Sequence, residues 1–451
     1  MSASEKSTAS TKDLKRVLGF GDLMSTAIGQ IIGSGIMSLT GVAIAMCGRA
    51  VPIAFILSAV ITILLAIPKI LLCGTVRLRG GEYTMTAVLA GQKYAGVFVI
   101  LHVCQNISLA MYSLSFADYF LVFLPDGNRK LIAIVCLTTF FLLNLFGIDK
   151  MAKAQNIIVA MMCVALGLFA AYGITEVKPE YFNPQGFFDR GGVVGMMSAA
   201  ALLTFATGGA GSIVNLGAEA KNPTRDLPLV IIVATLFVSV IYAFMAIVAA
   251  GVLPIAEVAN QSLRLVANAV LPAPLYVFFI VGGCMCALIS TLNSQMAWAT
   301  KPVIQACVDG WFPEKLGAVN KRFKTPHWLL IILYALGMAT IIFGFDVDII
   351  GSLTVIINQV ILLFVNISII KIPKVLPEQW EKSKFRVSNG ALNVVLVATV
   401  LTNFLNIWLL GKDLSFPMLL GNAVVLALAF VYSICREKSG KVHMEISYED
   451  Q

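Results

Sequence analysis

Charge is what this sequence has least of. Asp, Glu, Lys and Arg make up 12% of its 451 residues, about half the share in ordinary soluble domains. That scarcity excludes a soluble enzyme, a disordered chain and a nucleic-acid binder, in spite of a formal net charge of +8. Histidine is rarer still, with three residues, of which only His102 is expected at membrane depth. A Ser–His pair for an intramembrane protease is therefore not expected. The nine cysteines (Cys47, Cys73, Cys104, Cys136, Cys163, Cys284, Cys286, Cys307 and Cys435) show neither metal-ligand spacing nor an extracellular pairing pattern. They read as small buried hydrophobes. No metal, cofactor or covalent accessory subunit is expected.

What fills the chain instead is hydrocarbon. Apolar residues account for 59% of it, and the mean hydropathy is +0.89. They fall into runs long enough to cross a hydrocarbon core of ~30 Å as helices. Twelve spans are predicted, near 21–46, 51–72, 95–124, 130–147, 153–174, 193–217, 228–251, 274–300, 327–344, 348–371, 389–410 and 415–435. A β-barrel would alternate apolar and polar residues over ~10-residue segments, whereas Ile53–Leu65 is apolar on every face. The expected fold is all-α and polytopic, a single transmembrane domain over 21–435, in the lipid bilayer of the cell membrane.

Lysine and arginine set the orientation. With the N-terminus cytoplasmic and the spans alternating, 24 of the 32 fall on the cytoplasmic side, seven opposite, and Lys69 inside the second span. The positive-inside rule then puts both termini, 1–20 and 436–451, in the cytoplasm. The net positive charge is thus a topological signal. The polar, basic start shows no convincing cleavage site, so no cleavable signal peptide is expected.

Two spans break the rules for a helix in lipid. The first contains Gly29-Gln30-Ile31-Ile32-Gly33-Ser34-Gly35-Ile36, and the sixth Phe205-Ala206-Thr207-Gly208-Gly209-Ala210-Gly211-Ser212. Glycine costs a helix interior about 1 kcal/mol relative to alanine, so such clusters need a reason. Close helix packing through small residues is one reason. Unwinding at matching depth is the stronger one, because a backbone break in a membrane must line a cavity. The two spans each open a block of five, about 21–174 and 193–371, with 389–435 left over. A break in the first helix of each half is the pattern of an inverted-repeat transporter. Half-helix N-termini suit a carboxylate and unwound carbonyls an ammonium, so one amino acid zwitterion satisfies both.

Several local signatures then arrive in order. They are Gly33-Ser34-Gly35-Ile36, Arg79-Gly80-Gly81-Glu82-Tyr83, Ser115-Phe116-Ala117-Asp118-Tyr119, and Gln155-Asn156. Glu219-Ala220-Lys221-Asn222-Pro223 with Arg225 and Pro228 follows, then Asn293-Ser294, Asp309-Gly310, Pro313 and Thr325-Pro326. Together they resemble the amino acid–polyamine–organocation transporters, nearest to the amino acid permease and L-type amino acid transporter branch. The resemblance implies a LeuT-like fold of five plus five inverted helices and two more. It implies carboxylate contacts at Ser34 and Gly35, amine contacts at the carbonyls of Ile31, Phe205 and Gly208, and an aromatic gate at Phe205. Thr207 and Gly209 complete the expected substrate site.

Two departures from that family pattern carry expectations of their own. Relatives carry bulky or acidic groups near Ala210 and Gly211, so the pocket here is expected to be roomy and uncharged, for a neutral, fairly large amino acid, branched or aromatic. A lysine common in relatives seven residues after the Gln of Gln-Asn is here Met162. Exchange without a coupling ion is then expected, and the alternative is a symporter coupled to Na⁺ or H⁺, with Ser290 or Thr291 helping to hold Na⁺. A cationic amino acid or polyamine antiporter, a channel and a non-transporting sensor are the remaining alternatives. Trp298 is expected as an interfacial anchor, and His102, Gln105 and Asn106 as either interhelical or substrate contacts.

Overall fold

The computed structural model describes residues 14, 16–146, 148–183, 186–320, 322–345, 347–411, 414–444 and 448–449. The first half contains α1 (Phe20–Ile31), α2 (Ser34–Cys47), α3 (Val51–Cys73), α4 (Gly81–Leu89), α5 (Gln92–Gln105), α6 (Ser108–Phe120), α7 (Arg129–Leu145) and α8 (Ile148–Thr175). Next come α9 (Gly192–Thr207), a 3₁₀ segment (Ala210–Leu216) and α10 (Pro223–Gly251), then the short α11 (Ile255–Val258), α12 (Leu263–Val270) and α13 (Ala273–Phe278). A π-helical turn at Phe279–Met285 leads into α14 (Cys286–Val308). The chain closes with α15 (His327–Phe343), α16 (Val347–Ser368), α17 (Ile372–Val375), α18 (Pro377–Lys382), α19 (Asn389–Gly411) and α20 (Phe416–Lys438).

The protein is an all-α polytopic membrane protein. Among the described residues nine helical stretches are long and apolar enough to cross a membrane, and α15 is a shorter apolar helix. The first expected span is not among the nine as one rod, because it is divided into α1 and α2. Helix α7 has 17 residues, at the short limit for a span. The side chains left outermost are apolar, among them Phe343, Phe416, Ile157, Val394 and Leu401, a surface that water cannot cover and lipid can.

The interior is built from α3 against α9 and α10, α2 against α9, and α6 against α7, with one continuous apolar core across them. A second core gathers Tyr83, Phe98, Val303, Ile304 and Trp311 between α4, α5 and α14. Helix α14 runs to Val308, eight residues beyond the expected end, and that extension matters for the site. The third expected span is interrupted at Asn106–Ile107, where the Asn106 side-chain amide donates to the His102 carbonyl at 2.7 Å.

Both terminal segments meet the body at the same end, the terminal face. Leu18 pairs with the chain after the 3₁₀ segment: its N–H donates to the Glu219 carbonyl (3.0 Å) and its carbonyl accepts from Lys221 N–H (2.9 Å). Tyr448–Glu449 pairs antiparallel with Arg77–Leu78. The cysteines are free thiols, and Cys435 is exposed rather than buried as expected, because it lies on the outer side of α20 near its end.

Candidate functional site

The two expected interruptions face each other. Helix α1 stops at Ile31, Ile32 turns extended (φ −80°, ψ 100°), and α2 restarts after Gly33. Helix α9 stops at Thr207, Gly208 is extended, and Gly209 takes φ 108° before the 3₁₀ segment. Only glycine adopts that last conformation without strain. The other glycines serve approach. A Cβ on Gly33 would collide with the Thr291 hydroxyl, and one on Gly29 with Gln155 and Ser290. Unwinding and close packing, the two readings of the glycine clusters, therefore coexist.

Each break leaves backbone groups without helical partners. Both breaks border one cavity. It is lined by Gln30, Ile31, Gly33 and Gly35 on the first broken helix, and by Phe205, Gly208 and Gly209 on the second. Of the residues singled out in the sequence, Ile31, Gly35, Phe205, Gly208, Gly209 and Thr291 line this cavity. Ser34 opens α2, but its side chain lies outside the described residues. Thr207 is not part of the lining. Its hydroxyl donates to the Leu203 carbonyl (3.2 Å) and lies 2.9 Å from the hydroxyl of Thr62, on the α3 side. The Ile31 carbonyl already accepts from Tyr242 Oη at 3.2 Å, which leaves it one lone pair for a ligand.

The end of α1 is held by α14. Thr291 Oγ1 lies 2.9 Å from the Gly29 carbonyl, 3.1 Å from that of Ile32 and 3.0 Å from that of Ala287. Ser290 Oγ accepts from Gln155 Nε2 at 2.6 Å. Gln155 Oε1 accepts from Asn293 Nδ2 (3.0 Å), and Asn293 Oδ1 from Asn144 Nδ2 (2.9 Å). Met162 is fully buried and stands apart from the cavity lining.

Two expectations are corrected, and one left open is resolved. Trp298 is no interfacial anchor: α14 continues ten residues past it, so it sits inside the protein, lines the cavity and donates Nε1–H to Gln30 Oε1 at 3.1 Å. His102 and Asn106 are interhelical contacts. His102 Nε2 lies 2.8 Å from the Ala299 carbonyl, to which it donates, and its Nδ1 lies 3.1 Å from Gln105 Nε2. Gln105 reaches the cavity.

The second correction is the larger: the pocket is not uncharged. Lys69 of α3 and Glu82 of α4 both line it and form a buried ion pair with each other. Gly211 is small because Lys69 lies against it, with a Cβ there falling 3.3 Å from the ammonium nitrogen. Gly81, at φ 56°, brings Glu82 in tightly, and Glu82 N–H donates to Asn215 Oδ1 at 2.8 Å. The sequence signal was present. A lysine in an otherwise apolar span marks a functional position by default.

Comparison with known proteins bears on the whole chain. Residues 18–434 match the family model described as amino acid permease. The chain belongs to the amino acid permease family. The permease is 28% identical over 372 residues to the branched-chain amino acid permease BcaP of Bacillus subtilis, covering 77% of this chain and 76% of that one. It is 28% identical over 368 residues to the methylthioribose transporter of the same organism, covering 74% and 76%. An uncharacterized protein of Methanocaldococcus jannaschii is 28% identical over 364 residues, covering 78% and 81%. The permease is accordingly a transporter, not an enzyme, and works in amino-acid transport.

Proposed function

We propose that the permease moves a neutral amino acid across the cell membrane by exchange and alternating access. The observation that carries this reading is the pair of opposed helix breaks on one cavity. The N–H groups at Ser34 and Gly35 receive the carboxylate, with the positive end of α2 behind them. The carbonyls of Ile31, Phe205 and Gly208 receive the ammonium, and the Phe205 ring closes over the substrate. In this reading twelve spans form two inverted five-helix repeats plus two. The terminal face is cytoplasmic, in line with the lysine and arginine bias.

Neutrality of the substrate is supported by the ion pair. A cationic side chain would face the Lys69 ammonium and an anionic one the Glu82 carboxylate, each competing with an existing partner. The name of BcaP, a branched-chain amino acid permease, agrees with a neutral amino acid. Exchange is supported by the α1–α14 contact. Met162 carries no charge, and both hydroxyls nominated for a sodium ion are engaged, Ser290 by Gln155 and Thr291 by backbone carbonyls. The second reading, Na⁺ coupling, draws on the same place: carbonyls of Gly29, Ile32 and Ala287 converge on Thr291 Oγ1, a set of hard oxygens suited to a cation.

The test is counterflow. Protein reconstituted into liposomes loaded with each proteinogenic amino acid is expected to take up labelled neutral substrate equally with and without a sodium gradient. Uptake that collapses without Na⁺ establishes the second reading, and indifference to every amino acid removes both.

A further inference from the structure

The Lys69–Glu82 pair is buried, with each side chain 8% exposed, and what little exposure it has faces the cavity. An ammonium carries three donors and a carboxylate about four acceptor sites. The side-chain bond between them is the one hydrogen bond that each of these two charged groups makes among the described residues. Hydrogen-bonding capacity on both groups is therefore left facing the space where a ligand would sit. Desolvating such a pair without new partners is costly, and an apolar ligand offers none.

The surrounding wall is mixed. Gln30, Gln105, Gln295 and Ser212 bring polar side chains to the cavity, while Ile31, Leu65, Ala66, Phe205 and Leu362 line it with hydrocarbon.

We infer that Lys69 and Glu82 read the far end of the substrate side chain and select one that both accepts and donates a hydrogen bond, a carboxamide or a hydroxyl, over a branched or aromatic hydrocarbon. A carboxamide fits best: its carbonyl accepts from the Lys69 ammonium while its N–H donates to the Glu82 carboxylate, and the ion pair stays intact. This inference rests on the amino acid reading of the two breaks and narrows it, against the branched or aromatic side chain that the small residues at 210 and 211 suggest.

The test is a binding series on the detergent-purified full chain, with glutamine, asparagine, serine and threonine set against leucine, valine and phenylalanine. Glutamine is expected to outbind leucine at least tenfold. In the charge-neutral double variant Lys69→Met/Glu82→Leu that order is expected to reverse. Leucine outbinding glutamine in the unaltered protein overturns the inference, as does a glutamine preference that persists in the double variant. Should that variant not yield monodisperse protein, Lys69→Gln/Glu82→Gln replaces it: the glutamine advantage is expected to fall at least threefold, and an undiminished advantage counts against the assignment. Failure of every amino acid to bind strikes the reading of the helix breaks instead, so the two failures are distinguishable.

Discussion

Gly35 and Ala206 pack backbone against backbone: a Cβ built on Gly35 would fall 2.6 Å from the Ala206 Cα. The two broken helices thus touch at the level of their interruptions, and no side chain can be inserted between them. Gly35→Ala is expected to push α2 away from α9 and lower uptake at least tenfold, with surface expression retained. Uptake normalised to protein in the membrane checks it, and near-normal uptake would show that the close approach is dispensable.

Thr291 ties two helices with one hydroxyl. Thr291→Val keeps the shape and removes the one proton that the carbonyls of Gly29, Ile32 and Ala287 share, leaving a buried carbonyl short of a partner. The expected loss is about 1–3 kcal/mol of stability. Thermal unfolding of purified protein measures it. A variant as stable as the parent would mean that α1 is held by other contacts.

A second buried ion pair, Lys301 Nζ to Glu219 Oε1 at 2.9 Å, joins α14 to the segment after the 3₁₀ turn. Removing one partner strands a charge, so Glu219→Ala is expected to cost about 3–5 kcal/mol. The double replacement Lys301→Met/Glu219→Met is expected to recover most of it. Equal losses in the single and double variants would deny the coupling.

Trp298 is expected to act through its indole N–H. Trp298→Phe keeps the aromatic bulk and drops the bond to Gln30, worth about 1 kcal/mol. Substrate affinity should fall roughly fivefold, by about a factor of ten for each 1.4 kcal/mol. Titration of substrate against both proteins decides it.

The sequence made the breaks legible because glycine is costly in a helix and conspicuous when clustered. It made the apolar spans legible because their length is set by the bilayer. Lys69–Glu82 was not legible as a pair. Its members are 13 residues apart across a helix end, and no periodicity links a residue in α3 to one in α4. Trp298 was misread for a related reason. The polar residues that follow it, Thr300 and Lys301, look like the end of a span, yet the long α14 keeps them inside, with Lys301 neutralised by Glu219. The small residues Ala210 and Gly211 signalled space, and the sequence could not show that a lysine from another helix fills it.

Leu18 fastens the chain ahead of α1. Its two backbone hydrogen bonds reach Glu219 and Lys221, in the segment that follows the second break. Two such bonds contribute about 1–3 kcal/mol net, roughly a 5- to 150-fold preference for the fastened arrangement over a loose one. The chain ahead of the first broken helix is thereby moored to the chain after the second, so that both breaks share one anchorage.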